Sequence, residues 1–383
     1  MTYVFLPYEN TIWLHQLTDT TPIPLIQMPG NNDARYFMST DYNFFAFLDQ
    51  ANKRVGLYEF LDSEPWFEKK MSPVTLPKNC SGDDLLIHNN IIYVGGRSKA
   101  GEFLWQKDID NTNWQALPFP KDFAPMQYKS IDLLFLDGNK LIAVNDIIFP
   151  KWIFTYDISE REKPKPVDII SLEQHTTYES VYAGADNDNY IAILSGGINH
   201  GHSSRFVSLL DKKTLKEKRC WSAYLTQHDN SLLSLLPDEI LPPEVMEVII
   251  ENIQEFGTED AIKIFNNDKV RIELKNPKHI ETQCIYNVAF LGDYLLLATG
   301  DGLIAVYTKS KKRLFKQLAL KTLLTPYDFA KIPKSESALF VIGQTADEQI
   351  TYEIITVQDL KKSIINDLNC RNNLDNRHFY FHT

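Results

Sequence analysis

Cysteine is scarce and scattered: Cys80, Cys220, Cys284 and Cys370 are the only four in 383 residues, and no CxxC pair occurs. That spacing excludes a clustered thiolate zinc site and a disulfide-dense secreted scaffold. Scattered thiols fit a reducing, cytoplasmic compartment. No run of eighteen apolar residues is present, and the opening stretch Met1-Thr2-Tyr3-Val4-Phe5-Leu6-Pro7 has neither a basic segment nor a long apolar core. The sequence therefore reads as soluble, with no membrane partner. The GxSxG elbow, the Walker A loop, HExxH and GxGxxG are also missing, which removes the commonest hydrolase, nucleotide and zinc chemistries. Basic charge is in short supply: 39 Lys and Arg stand against 50 Asp and Glu, a formal net charge of -11. Nucleic-acid binding rests on neutralising phosphates with Lys and Arg, so nucleic acid is not the expected partner.

What is there is apolar and periodic. With 44% apolar and 23% charged residues, the chain has ample material for a packed core. Seven short β-type runs recur, anchored near Val4, Phe45, Ile92, Ile142, Ile191, Leu295 and Leu339, at steps of 41, 47, 50, 49, 104 and 44 residues. Each is followed by a turn and a second run, several ending in an aromatic and a polar residue, as in Leu57-Tyr58-Glu59, Leu104-Trp105-Gln106 and Thr155-Tyr156-Asp157. A third run often opens near a tyrosine, as at Tyr36, Tyr178, Tyr286 and Tyr327.

A period of forty to fifty residues built from short antiparallel strands is the pattern of propeller blades, each of which buries its faces only against its neighbours. The expected fold is all-β: one seven-bladed β-propeller of four-stranded antiparallel blades across residues 1–383. The last residues, 378–383 (His378-Phe379-Tyr380-Phe381-His382-Thr383), are expected to close the first blade. A two-sheet sandwich is the competing architecture. The aromatic ending the third strand resembles the position of the tryptophan in WD40 repeats, so the chain is similar in architecture to the β-propeller superfamily. The Gly-His and Trp-Asp signatures are absent, and no WD40 functional residue carries over.

Between the fifth and sixth repeats the period changes from 2 to 3.6. Val245, Val248, Ile249, Ile253 and Phe256 share one helical face after Pro242-Pro243, and Gly257 suits the C-terminal cap. Residues 229–278 thus read as a helical insertion. Glu244, Glu247, Glu251 and Glu255 line its other face. From Asp229 to Ile262 nine acidic residues, among them Glu259 and Asp260, meet no Lys or Arg. The local charge is -9, which leaves -11 + 9 = -2 for the remainder. A concentrated negative patch steers a basic protein partner, so these glutamates are the candidate partner-binding residues; otherwise they are a solvated helix face.

Other candidates are weaker in pattern. Tyr36, Tyr178, Tyr286 and Tyr327 either ring a channel mouth or pack between repeats. Glu179, Asn287 and Asp328 each follow one of these tyrosines, as oxygen ligands for calcium or another divalent metal would at the start of inner strands. His200 and His202 lie two apart in a glycine-rich loop, where they offer a metal two ligands of an unspecified set. The expectation is a non-enzymatic protein-binding propeller without cofactor, of inhibitor or immunity type, that masks a basic partner. The alternative is a calcium-type propeller hydrolase or lactonase with its site in the central channel.

Overall fold

The computed structural model describes residues 3–8, 11–16 and 23–27, most of 34–223, residues 278–280 and most of 285–361. These residues are almost wholly β: twenty-seven strands form seven small sheets, with one short helical turn among the described residues, at 357–361. Two compact units are present, Met1–Cys284 and Ile285–Thr383.

The first unit contains five sheets. Sheet A comprises β1 (Tyr3–Tyr8), β2 (Thr11–Gln16) and β3 (Ile23–Gln27); sheet B comprises β4 (Ala34–Met38), β5 (Phe44–Asp49), β6 (Arg54–Phe60) and β7 (Phe67–Thr75). Sheet C follows with β8 (Asp84–His88), β9 (Ile91–Gly95), β10 (Leu104–Asp108) and β11 (Gln115–Ala116), then sheet D with β12 (Leu133–Asp137), β13 (Lys140–Val144), β14 (Trp152–Asp157) and β15 (Lys165–Ser171). Sheet E has β16 (Glu179–Asp186), β17 (Tyr190–Gly197), β18 (Arg205–Asp211), β19 (Glu217–Ala223) and β20 (Lys278–Ile280). The second unit holds sheet F, of β21 (Ile285–Leu291), β22 (Tyr294–Thr299), β23 (Gly302–Tyr307) and β24 (Phe315–Leu318), and sheet G, of β25 (Thr325–Lys331), β26 (Ala338–Gln344) and β27 (Ile350–Thr356). Strands that follow one another pair antiparallel, except β20, which runs parallel to β19.

The seven anchor runs of the sequence fall one in each sheet, and the structure shows why they are apolar without alternation. In β9, Ile92 and Val94 pack toward sheet B, against Leu48, Val55 and Leu57, while Ile91 and Tyr93 pack toward sheet D, against Leu141 and Phe154. In β13, Leu141 and Ala143 face sheet C while Ile142 and Val144 face Ile191, Ile193 and Leu210 of sheet E. A strand buried on both faces has no polar side to show. Full burial of each Val, Leu, Ile or Phe among these side chains contributes roughly 1.5–3 kcal/mol. In the second unit, sheets F and G share a core of Leu296, Leu303, Ala305, Leu339, Val341 and Ile355. Fourth strands are read weakly because they are largely exposed, as in β7, where only Met71 is buried.

First strands of consecutive sheets lie side by side, β4 against β8, β8 against β12, β12 against β16 and, in the second unit, β21 against β25. Close approach is written into the glycines: a Cβ on Gly95, which pairs with Asp84 in the β8–β9 ladder, would meet Ile131 Cγ2 at 2.6 Å and its carbonyl oxygen at 2.8 Å. The β8–β9 hairpin turns through Asn89 and Asn90 at φ 48 and 60, a twist that suits two-residue connections.

Residues 224–277, and with them almost all of the expected helical insertion, lie outside the described residues; Lys278, its last residue, opens β20. Residues 378–383 also lie outside them.

Candidate functional site

The first strands carry a recurrent polar position. The pair five steps back from the hairpin is Asp84↔Gly95 in sheet C, Leu133↔Val144 in sheet D and Asn287↔Ala298 in sheet F. In sheet B it is Arg35↔Leu48, counting the Ser39–Phe44 backbone bond as the first step, and in sheet E it is Ala183↔Leu194, counting Asn187–Tyr190 likewise. In sheet G, Asp328 follows a bulge as Asn287 does.

In sheets B, C and F the side chain at this position reaches the first strand of the next sheet or the residue just before it. Arg35 Nη1 donates to the Asp83 carbonyl oxygen at 2.7 Å. The backbone N–H of Leu134 donates to Asp84 Oδ2 at 2.6 Å. Asn287 Nδ2 donates to Asp328 Oδ1 at 2.6 Å, and that oxygen also takes the Phe329 N–H at 2.7 Å. Each bond joins two sheets at the edge where their strands start.

Around Asp84 the polar groups form a small network. Ser81 Oγ donates to Asp83 Oδ2 at 2.8 Å, and Ser130 Oγ donates to Asp132 Oδ2 at 2.7 Å. The Arg97 guanidinium lies between the two carboxylates, 3.7 Å from Asp83 and 3.6 Å from Asp132. Asp84 keeps some exposed surface as a residue, but its carboxylate is crowded by protein atoms. Burial pushes it up to about 7; bonds from the Leu134 and Leu85 backbones and the charge of Arg35 oppose the rise, and Asp132 adds to it. Asp328 is raised for the same first reason, burial, against its bonds from Phe329 and Asn287.

A second recurrent feature is a bulged tyrosine. The ladder skips Tyr182 between Val181 and Ala183, Tyr286 between Ile285 and Asn287, and Tyr327 between Pro326 and Asp328. A bulge re-aims the side chain that it displaces. Tyr182 and Tyr286 are 42% and 45% exposed, which sets them apart from the buried aromatics of the core.

The sequence-predicted residues fall out as follows. Tyr286 and Tyr327 share the bulge position; Tyr36 sits in a regular ladder opposite Phe47. Tyr178 lies outside the described residues, and the register puts Tyr182 at the matching place in sheet E. Asn287 and Asp328 are brought together. Glu179 opens β16 opposite Gly197, and Ala183 takes the position matching Asn287. His200, His202 and the acidic residues Glu244, Glu247, Glu251, Glu255, Glu259 and Asp260 lie outside the described residues. Among the described residues no three His, Cys, Asp or Glu side chains are grouped to hold a metal ion, and no helix is long and apolar enough to cross a membrane. Asp84 escaped the sequence reading because no tyrosine precedes it; the shared Ser-x-Asp of Ser81-Gly82-Asp83 and Ser130-Ile131-Asp132 was the available signal.

No family model matches the chain, and no curated protein does. Among solved structures it is similar to Kuenenia stuttgartiensis hydrazine synthase, with a TM-score of 0.52 and 10% identity over 93% of this chain and 92% of that one. It also matches a complex of KlAtg21 with the coiled coil of AgAtg16, with a TM-score of 0.45 and 12% identity over 84% of this chain and 80% of that one. At this identity the first likeness extends to the fold alone.

Proposed function

We propose that the chain is a seven-bladed β-propeller acting as a non-enzymatic scaffold that binds a basic protein partner. Seven sheets in chain order, faces packed on their neighbours within each unit and first strands side by side, support the architecture. The observation that carries the functional reading is the exposed tyrosine at a bulge, repeated as Tyr182 and Tyr286. Tyrosine gives large, rigid contact area at low entropic cost and is enriched among the residues that dominate interfaces. The bulge keeps it out of the core. The acidic stretch from Asp229 to Ile262, with nine carboxylates and no cation, adds the preference for positive charge. An inhibitor or immunity-type protein that masks a basic enzyme or toxin is one form of this role.

The reading is tested by affinity capture with the native chain and with a variant carrying Glu244→Lys, Glu247→Lys, Glu251→Lys and Glu255→Lys. A basic protein held by the first and released by the second supports it. Identical capture by both removes the charge component.

A further inference from the structure

We propose that Asp328 and the bulged tyrosines beside it form a seat for a single arginine side chain of the basic partner. The inference rests on the reading of the chain as a binder of a basic protein, and it names the group that the second unit recognises. The Asn287–Asp328 bond joins β21 to β25 where both strands carry a bulge. Asn287 is fixed at both ends of its amide: Oδ1 takes the Val288 N–H at 2.7 Å, and Nδ2 donates to Asp328 Oδ1 at 2.6 Å. Asp328 Oδ1 also takes the Phe329 N–H at 2.7 Å. One carboxylate oxygen is thus doubly engaged, while Oδ2 accepts no hydrogen bond among the described residues. The bonds to Oδ1 orient the carboxylate and leave Oδ2 to a donor from outside the chain.

Charge and shape both fit a guanidinium. Asp84, also on a first strand, has the charge of Arg35 beside it, whereas Asp328 has only two N–H donors to set against the cost of burial among the described residues. A crowded carboxylate in that state gains from pairing with a cation. The tyrosines shape the surroundings. Tyr286 precedes Asn287 and Tyr327 precedes Asp328, each displaced from its ladder, so two aromatic residues stand one position from the bonded pair on neighbouring strands. Tyr286 is exposed. A guanidinium suits such a place better than an ammonium, because it is planar, stacks on aromatic faces and is less strongly hydrated. It therefore gives up less water on approaching a crowded carboxylate.

Titration of the full chain with N-acetyl-arginine amide, followed by NMR at the Phe329 amide, tests the seat without the partner. A saturable shift is expected. Asp328→Asn keeps an acceptor for Asn287 Nδ2 but carries no charge, and should weaken binding about tenfold or more, as loss of a charge-assisted bond does. Tyr286→Leu changes an exposed side chain, so folding is spared; it removes the aromatic face, and the expected loss is about two- to fivefold. The neutral isostere N-acetyl-citrulline amide should leave the resonance unmoved, and N-acetyl-lysine amide should bind more weakly than the arginine probe. A flat Phe329 shift, equal binding by Asp328→Asn, lysine binding as tightly as arginine, or a response to calcium chloride and not to arginine overturns the proposal. If the probe binds while the native chain captures no basic protein, the seat stands and the partner reading falls. If a basic protein is captured equally by wild type and Asp328→Asn and the probe gives no response, the partner reading stands and the seat falls.

Discussion

Gly343 faces Thr325 so closely that a Cβ on the glycine would meet the threonine carbonyl oxygen at 2.4 Å and Pro326 Cα at 2.8 Å. The contact lies beside the bulge that displaces Tyr327. A side chain at 343 would have to push β25 away and undo the bulge. Gly343→Ala is expected to destabilise the protein by about 1–3 kcal/mol, the range for overpacking, with the shift seen as a lower urea midpoint at unchanged slope.

Tyr156 makes the opposite case. Its ring is fully buried between sheets C and D, and its hydroxyl has no hydrogen-bond partner among the described residues. Burial alone drives its pKa upward. A buried polar group without a partner costs stability, so its removal with shape kept is neutral or favourable. Tyr156→Phe is expected to match or exceed wild-type stability in urea. A loss above about 1 kcal/mol would mean that the hydroxyl has a partner.

Cys80 is fully buried, and burial pushes its thiol up to about 12. The thiolate is the reactive form. Alkylation at pH 8 followed by peptide mapping should leave Cys80 unlabelled in the folded protein and label it once urea has unfolded the chain.

Asp328 shares the sign of Asp84 without its second chain of partners. Its folded pKa is raised, so the stability that it contributes is present below the unfolded value and is lost as pH rises through the folded one. Asp328→Asn preserves an acceptor for Asn287 Nδ2. Its melting temperature relative to wild type is expected to increase with pH, as a differential-scanning series can show.

The anchor runs were legible because double-sided burial leaves residues 91–94, 141–144 and 295–298 without a charged or hydrogen-bonding aliphatic residue to blur them. The hairpins followed from the same runs. The rim was legible only in part. A bulge inserts one residue without a compositional mark, so nothing in Tyr178-Glu179-Ser180-Val181-Tyr182 tells which tyrosine is displaced; the ladder of β16 with β17 decides for Tyr182. The same ambiguity between two tyrosines put Glu179 beside Asn287 and Asp328, whereas the register puts Ala183, four residues later, at that place. Asp84 matters through Leu134, fifty positions away, a relation that exists only once two sheets are packed. The parallel pairing of β20 with β19 had no local signal either, since its three residues carry no pattern of their own.

The central claim is that the bulged tyrosines face a protein partner, and site-specific photocrosslinking tests it most directly. Benzoylphenylalanine would be placed at position 286, at position 182, and at Val167, which is 63% exposed on the outer strand β15. Covalent adducts with a basic protein from position 182 or from position 286, and none from 167, are the predicted result. Adducts from all three positions alike, or none from the two tyrosine positions while a partner is still captured, would contradict the account.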